Sequence, residues 1–217
     1  MEVIKFLIDF VLHIDAHLVT LVNTFGNWTY LILFLIIFIE TGAVIMPFLP
    51  GDSLLFAACA MAANPDYHLN IWLFVVLFWI APVLGDSLNF MIGHKVGKSL
   101  TKNSFFGRFI KEEHLTQTEE FFEKHGGMSI TLARFMPIIR TFAPFVAGGS
   151  GLAYSNFIRH NLIGATAWVA ICCSAGYFFG NFTVVKEHFS MIILGIIVVS
   201  LIPAIVGALK TKFQKKS

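Results

Sequence analysis

A chain of 217 residues that is 57% apolar and only 13% charged, with a mean hydropathy of +0.78, has too little polar surface to coat a soluble globule. The formal net charge of +2 decides nothing by itself, and the three cysteines, Cys59, Cys172 and Cys173, sit in apolar segments without metal-ligand spacing, which suggests neither a disulfide framework nor a zinc site. The composition predicts an integral membrane protein, with no metal or cofactor implied.

The chain opens with "MEVIKFLIDFVLHIDAHL", an amphipathic stretch over residues 2–20 whose acid at position 2 and internal Asp9, His13 and Asp15 do not fit a basic, cleaved signal peptide. It is expected to remain on the mature protein. Gly26 follows, and then an apolar stretch over 28–63 that is interrupted by "IETGAVIMPFLPGDSLL". Here Glu40 closes an uncharged run, Pro47, Pro50 and Gly51 supply turn chemistry, and Asp52 opens the next apolar segment. This reads as a hairpin that turns inside the bilayer. A span follows at about residues 70–93. Near its inner end lie Asp86 and Asn89, which either line a cavity or cap and hydrogen-bond neighbouring helices; the second reading is preferred. His94 reads as interfacial.

Lys95, Lys98, Lys102, Arg108 and Lys111 then form a basic stretch, and Lys210, Lys212, Lys215 and Lys216 crowd the other end of the chain. Both are cytoplasmic by the positive-inside rule. Residues 105–123 mix Phe105, Phe109, Leu115 and Phe122 with many charges, as a helix lying at the interface or a solvated connecting helix would. Two ordinary spans, 157–180 and 191–209, separate the two basic markers. The parity closes only if residues 126–152, "GGMSITLARFMPIIRTFAPFVAGGSGL", enter the membrane and return to the same side. Pro137 and Pro144 are expected to interrupt helices there, and Gly148, Gly149 and Gly151 to permit the turn. Such backbone survives at depth only beside protein or a water-filled cavity.

The two halves run in parallel order: amphipathic segment, glycine, interrupted hairpin, span. Glu40 and Arg140 each lie fourteen residues after their glycine, Gly26 or Gly126. The fold class predicted is therefore an all-α polytopic membrane protein with an inverted repeat, two opposed re-entrant hairpins, interfacial amphipathic helices and about three full spans. It forms one membrane domain over 1–217: a first repeat in 1–98 with hairpin 28–63, a second in 105–180 with hairpin 126–152, and a final transmembrane helix in 187–210. The N-terminus is expected outside and the C-terminus inside; the alternative is that residues 2–25 cross the bilayer.

Glu40 and Asp52 in one hairpin and Arg134 and Arg140 in the other would each cost a few kcal/mol or more if left alone at depth. Meeting near the midplane, they would neutralise one another. Pro137 breaks the helix between the arginines and lets both face one cavity. Guanidinium forks match phosphate oxygens and keep their charge when desolvated, so this geometry suits an anion. Burial favours a neutral carboxyl and a nearby arginine favours the carboxylate, so an anion competing for the arginines would change the protonation of Glu40 or Asp52 and couple protons to its movement. The alternative is a buried ion-pair network that only maintains the fold.

Glu40 with "PFLPGD", then "GDSLNFMIGHKVG", "FFGRF" and "RFMPIIRTFAPFVAGGSGL", resembles the bacterial DedA proteins, which contain the SNARE-associated (VTT) domain. The likeness covers nearly the whole chain. It implies two opposed re-entrant hairpins in the bacterial cytoplasmic membrane. It also implies transport of lipid phosphates, either recycling of undecaprenyl phosphate or flipping of phosphatidylethanolamine, dependent on the proton motive force. The family's acids and arginines carry over to Glu40, Asp52, Arg134 and Arg140. Many members have Glu where this chain has Asp52, a departure that keeps the charge and shortens its reach.

Two other classes compete. "GGSG" at 148–151 has the form of an intramembrane serine protease motif, with Ser150 as nucleophile and His160 as base, but turn chemistry explains those glycines more simply. A scaffold without transport activity is the second. The expected function is a flippase for undecaprenyl phosphate rather than an enzyme. Its partners are the bilayer and a phospholipid or polyprenyl phosphate, not nucleic acid, and a homodimer is left open.

Overall fold

In a computed structural model of the protein, the described residues are 14–42, 51–96 and 125–180, with the single positions 122, 182, 191, 192 and 195. Among them are seven α-helices and one 3-10 turn, and no strand. We number the helices α1 (Ile14–Phe25), α2 (Trp28–Gly42), α3 (Gly51–Ala62), α4 (Ile71–Val96), α5 (Met128–Ala133), α6 (Pro137–Gly149) and α7 (Tyr154–Phe179). Among the described residues the expected all-helical architecture is present. Of the described helices, α4 over Ile71–Lys95 and α7 over Tyr154–Phe179 are long and apolar enough to cross a bilayer. The segment 105–121 and nearly all of the expected final helix at 187–210 lie outside the described residues, as do Pro47 and Pro50.

The remaining apolar helices are short. At 1.5 Å per residue, α2 rises about 22 Å and α3 about 18 Å, less than the hydrocarbon thickness of roughly 30 Å. The second expected hairpin segment is split, but not where its glycines suggested. The break falls at Arg134–Met136, between α5 and α6, and Pro137 opens α6 at the first helical position, where a missing N–H costs nothing. Pro144, expected to interrupt a helix, lies within α6, and Gly148 and Gly149, expected in a turn, are its last residues. Only Gly151, with φ of 81°, takes the left-handed conformation assigned to this turn.

The glycines that begin the two halves behave alike. Gly26 and Gly126 have φ of 51° and 57°. Each donates its N–H to the carbonyl four residues back, at 2.8 Å in both cases, and each accepts from the N–H three residues on, at 3.1 Å in both cases. Each adopts the left-handed conformation of a helix cap, and a helix begins two residues on.

The chain divides into two compact units, and α4 and α7 contribute to both. The first contains α1, most of α2, α3, the start of α4 and the end of α7. Ile14, Leu33, Ile37, Leu55 and Phe78 are buried in its core. The Tyr30 ring packs 4.6 Å from that of Phe74, and its hydroxyl accepts the Asn70 N–H at 2.6 Å, tying the start of α2 to the start of α4. Asn70 caps α4 by accepting the Trp72 N–H at 2.9 Å. A Cβ at Gly176 would fall on the Phe56 carbonyl and one at Gly180 on Ala60, so two glycines four residues apart let α7 approach α3 to backbone contact.

The second unit contains the end of α2, the rest of α4, α5, α6 and the start of α7. Its core centres on Phe90 and Phe157, whose rings stack at 4.5 Å. The α4–α6 crossing is reciprocal: Gly93 of α4 faces the Phe145 carbonyl, and Gly148 of α6 faces the Phe90 carbonyl. Gly148 is thus a packing glycine, which is why it need not make a turn. Gly126, by contrast, has open space around its missing Cβ. Gly126→Ala is expected to cost about 1–2 kcal/mol, from backbone conformation alone. Gly148→Ala must push α4 and α6 apart and is expected to cost about 1–3 kcal/mol by overpacking, and to disturb the α4–α6 contact besides. Thermal unfolding of the two variants in detergent, with cysteine cross-linking between α4 and α6, checks this: only Gly148→Ala should lower cross-linking.

Candidate functional site

The site is built where the second unit carries its charges. Arg134 follows the last turn of α5, and Arg140 lies near the start of α6. An unbroken helix would place residues six apart at different angles; the break at 134–136 brings both to one cavity. Glu40 and Thr41 from the end of α2, Asp86 from α4, and Thr141 and Pro144 from α6 complete most of its wall. The cavity measures about 20 Å³, space for about one water molecule.

Each arginine meets a carboxylate. Arg140 Nη2 donates to Glu40 Oε1 at 2.5 Å. Arg134 Nη2 pairs with Asp86 Oδ2 and also donates to Asn161 Oδ1 at 2.5 Å. Asp86, Asn161, Glu40 and Arg134 are all buried. The sequence pattern suggested Glu40 and Asp52 as the partners of the arginines. Glu40 is there, but the second carboxylate of this cavity is Asp86, for which interhelical bonding or capping had been preferred. Asn89 does fit that preference: fully buried, it donates to the Thr141 carbonyl at 2.9 Å and the Thr41 carbonyl at 3.5 Å.

Asp52 belongs to the first unit, in the opening turn of α3, where a carboxylate is favoured by the helix dipole. Its Oδ1 accepts the Trp168 indole N–H at 2.6 Å. Gly51 is the first, buried residue of the same helix. The protease pair has other engagements: the Ser150 hydroxyl donates to the Ala147 carbonyl at 3.0 Å, and His160 Nδ1 lies 3.4 Å from the Thr131 hydroxyl, which donates to the His160 carbonyl.

Asn161, Thr41, Thr141 and Trp168 were not anticipated. The signal for Asn161 was present, since a carboxamide inside an apolar span seeks a polar partner. Nothing in one sequence says which partner it finds.

The VTT domain profile matches residues 49–178. Protein DedA of Escherichia coli (strain K12) is 49% identical over 212 residues, covering 98% of this chain and 96% of that protein. The chain is a DedA-family membrane protein. The uncharacterized membrane protein Rv0364 of Mycobacterium tuberculosis (strain ATCC 25618 / H37Rv) is 40% identical over 186 residues, covering 86% of this chain and 81% of its own. Inner membrane protein YghB of Escherichia coli (strain K12) is 28% identical over 205 residues, covering 94% and 89% of the two chains. No solved structure matches.

Within this DedA-family chain, the Asp86–Arg134 pair is buried on both sides, with side-chain exposures of 7% and 6%. Removing one partner strands the other's charge. Arg134→Met or Asp86→Leu alone is expected to destabilise the protein by about 3–5 kcal/mol, and the double variant to recover much of that loss. Unfolding midpoints of the three variants in one detergent check the non-additivity.

Proposed function

We propose that the chain is a lipid flippase that carries undecaprenyl phosphate across the bacterial cytoplasmic membrane for carrier-lipid recycling, driven by the proton motive force. The observation that carries the reading is one small buried cavity holding two guanidinium groups, each engaged by a carboxylate, at a break between two helices. Arginine keeps its charge in such a place, and its fork fits phosphate oxygens. A phosphate monoester can replace the Glu40 carboxylate on Arg140, exchanging one anion for another. Glu40, released into a poorly solvated site, then takes up a proton, which links lipid movement to the gradient. In this reading no covalent bond is made or broken.

The short helices α2 and α3, and α5 with α6, act as the two re-entrant hairpins, opposed as an inverted repeat. The matching caps at Gly26 and Gly126 support that repeat. Basic residues at the end of α4, His94 and Lys95, support a cytoplasmic inner face, with the C-terminus on the same side. A phosphate monoester also brings more negative charge to the two arginines than the phosphodiester of phosphatidylethanolamine does.

Purified protein in liposomes should move a labelled polyprenyl phosphate between leaflets faster than labelled phosphatidylethanolamine. Arg140→Ala is expected to remove about 2 kcal/mol or more of phosphate binding, roughly a thirtyfold loss. Glu40→Gln should abolish stimulation by an imposed proton gradient. Equal movement of both lipids with either variant as active as wild type would overturn the proposal, and wild type that moves neither would favour a scaffold.

A further inference from the structure

The two arginines differ in exposure and in the helices that supply their partners. Arg134 is engaged by two buried acceptors, Asp86 on α4 and Asn161 on α7. Asn161 is itself oriented: its Nδ2 donates to the Val83 carbonyl at 3.3 Å, which turns its oxygen towards the guanidinium. The same carbonyl accepts the Ser87 hydroxyl at 2.7 Å, and Ser87 accepts the Tyr154 hydroxyl at 3.2 Å, so the network closes between α4 and α7. Gly164 makes room for the arginine stem: a Cβ there would lie 3.3 Å from Arg134 Nε and 3.3 Å from Thr131 Cα. Arg140, near the start of α6, pairs with Glu40 close to the end of α2, and its side chain is 16% exposed against 6% for Arg134.

Building on the transport mechanism above, we propose that Asp86 and Asn161 are positioning residues that lock Arg134 in place through the cycle, while only the Glu40–Arg140 pair opens to receive the phosphate. Displacing Arg134 would break two buried charge-assisted bonds and leave Asp86 stranded. Opening the other pair lets the incoming anion take the position of the carboxylate it displaces. Arg134 then serves as the fixed wall of the receptor and Arg140 as its exchangeable half. Asp86, which faces the cavity with Glu40, keeps its partner throughout.

The test uses the full chain in liposomes, treated with phenylglyoxal, with modification of Arg134 and Arg140 read separately by peptide mass spectrometry. Geranylgeranyl phosphate is the probe. Arg140 should react, be shielded by the probe, and react roughly tenfold faster in Glu40→Gln, where a charge-assisted bond is lost. Arg134 should stay unmodified in wild type and in Glu40→Gln, and become reactive in Asp86→Asn and in Asn161→Ala, the second variant serving if the first fails to fold.

In the flipping assay Asp86→Asn should lower both the half-saturating mole fraction of lipid phosphate and the maximal rate, because a released Arg134 grips the anion and lets it go slowly. A merely structural role would lower the maximal rate alone. Asp86→Glu, which keeps the charge, should restore part of the rate. Arg134 and Arg140 reacting alike in wild type, or Arg134 inert in both lock variants, overturns the assignment. If wild type moves no lipid phosphate, the transport mechanism falls alone, and the modification pattern still decides which arginine is locked.

Discussion

A guanidinium group cannot shed its charge at any pH the protein meets, and a buried one has little water to meet it. Everything around the cavity follows from that constraint. Arg134 and Arg140 must be met by anionic or strongly polar oxygens, and the fold supplies them from three directions: Glu40 from α2, Asp86 from α4 and Asn161 from α7. The break before Pro137 serves the same end, because only an interrupted helix turns both arginines to one place. The ion pairs in turn leave little room beside them.

Such a cluster also needs walls that do not yield. Between helices in a membrane, association relies on close packing more than on burial of apolar surface, since lipid tails are as apolar as side chains. The reciprocal contacts of Gly93 and Gly148 bring α4 and α6 together at their backbones, beside the segment that bears Asp86 and Asn89. In the other unit, Gly176 and Gly180 do the same between α7 and α3, the helix that carries Asp52. Glycine at these four positions is a matter of space rather than of turn geometry.

The class of the protein, its two long spans and the interruption of the second hairpin segment at Pro137 were legible in the sequence, because hydropathy and proline act locally. Glu40, Arg134 and Arg140 were legible as a group, because charge in an apolar run demands an explanation. The pairing was not. Asp52 and Asp86 present the same chemistry, and the choice between them depends on which helix lies beside Arg134, a tertiary fact that no local signal encodes. The glycines misled for a related reason: a run such as Gly148–Gly149 is as suited to a helix crossing as to a turn, and only the neighbouring helix decides. Gly26, Gly126 and Gly151, with positive φ, are the ones whose conformation is set by the chain itself.

The cavity has room for about one water beside its four charged side chains. Proton conduction through hydrocarbon requires a file of hydrogen-bonded waters, and here paired side chains stand where such a file would run. Under the proposed transport mechanism the resting site would therefore act as an electrical insulator as well as a receptor: its own carboxylates would stopper it, and the voltage across the membrane would not drain through it while it waits.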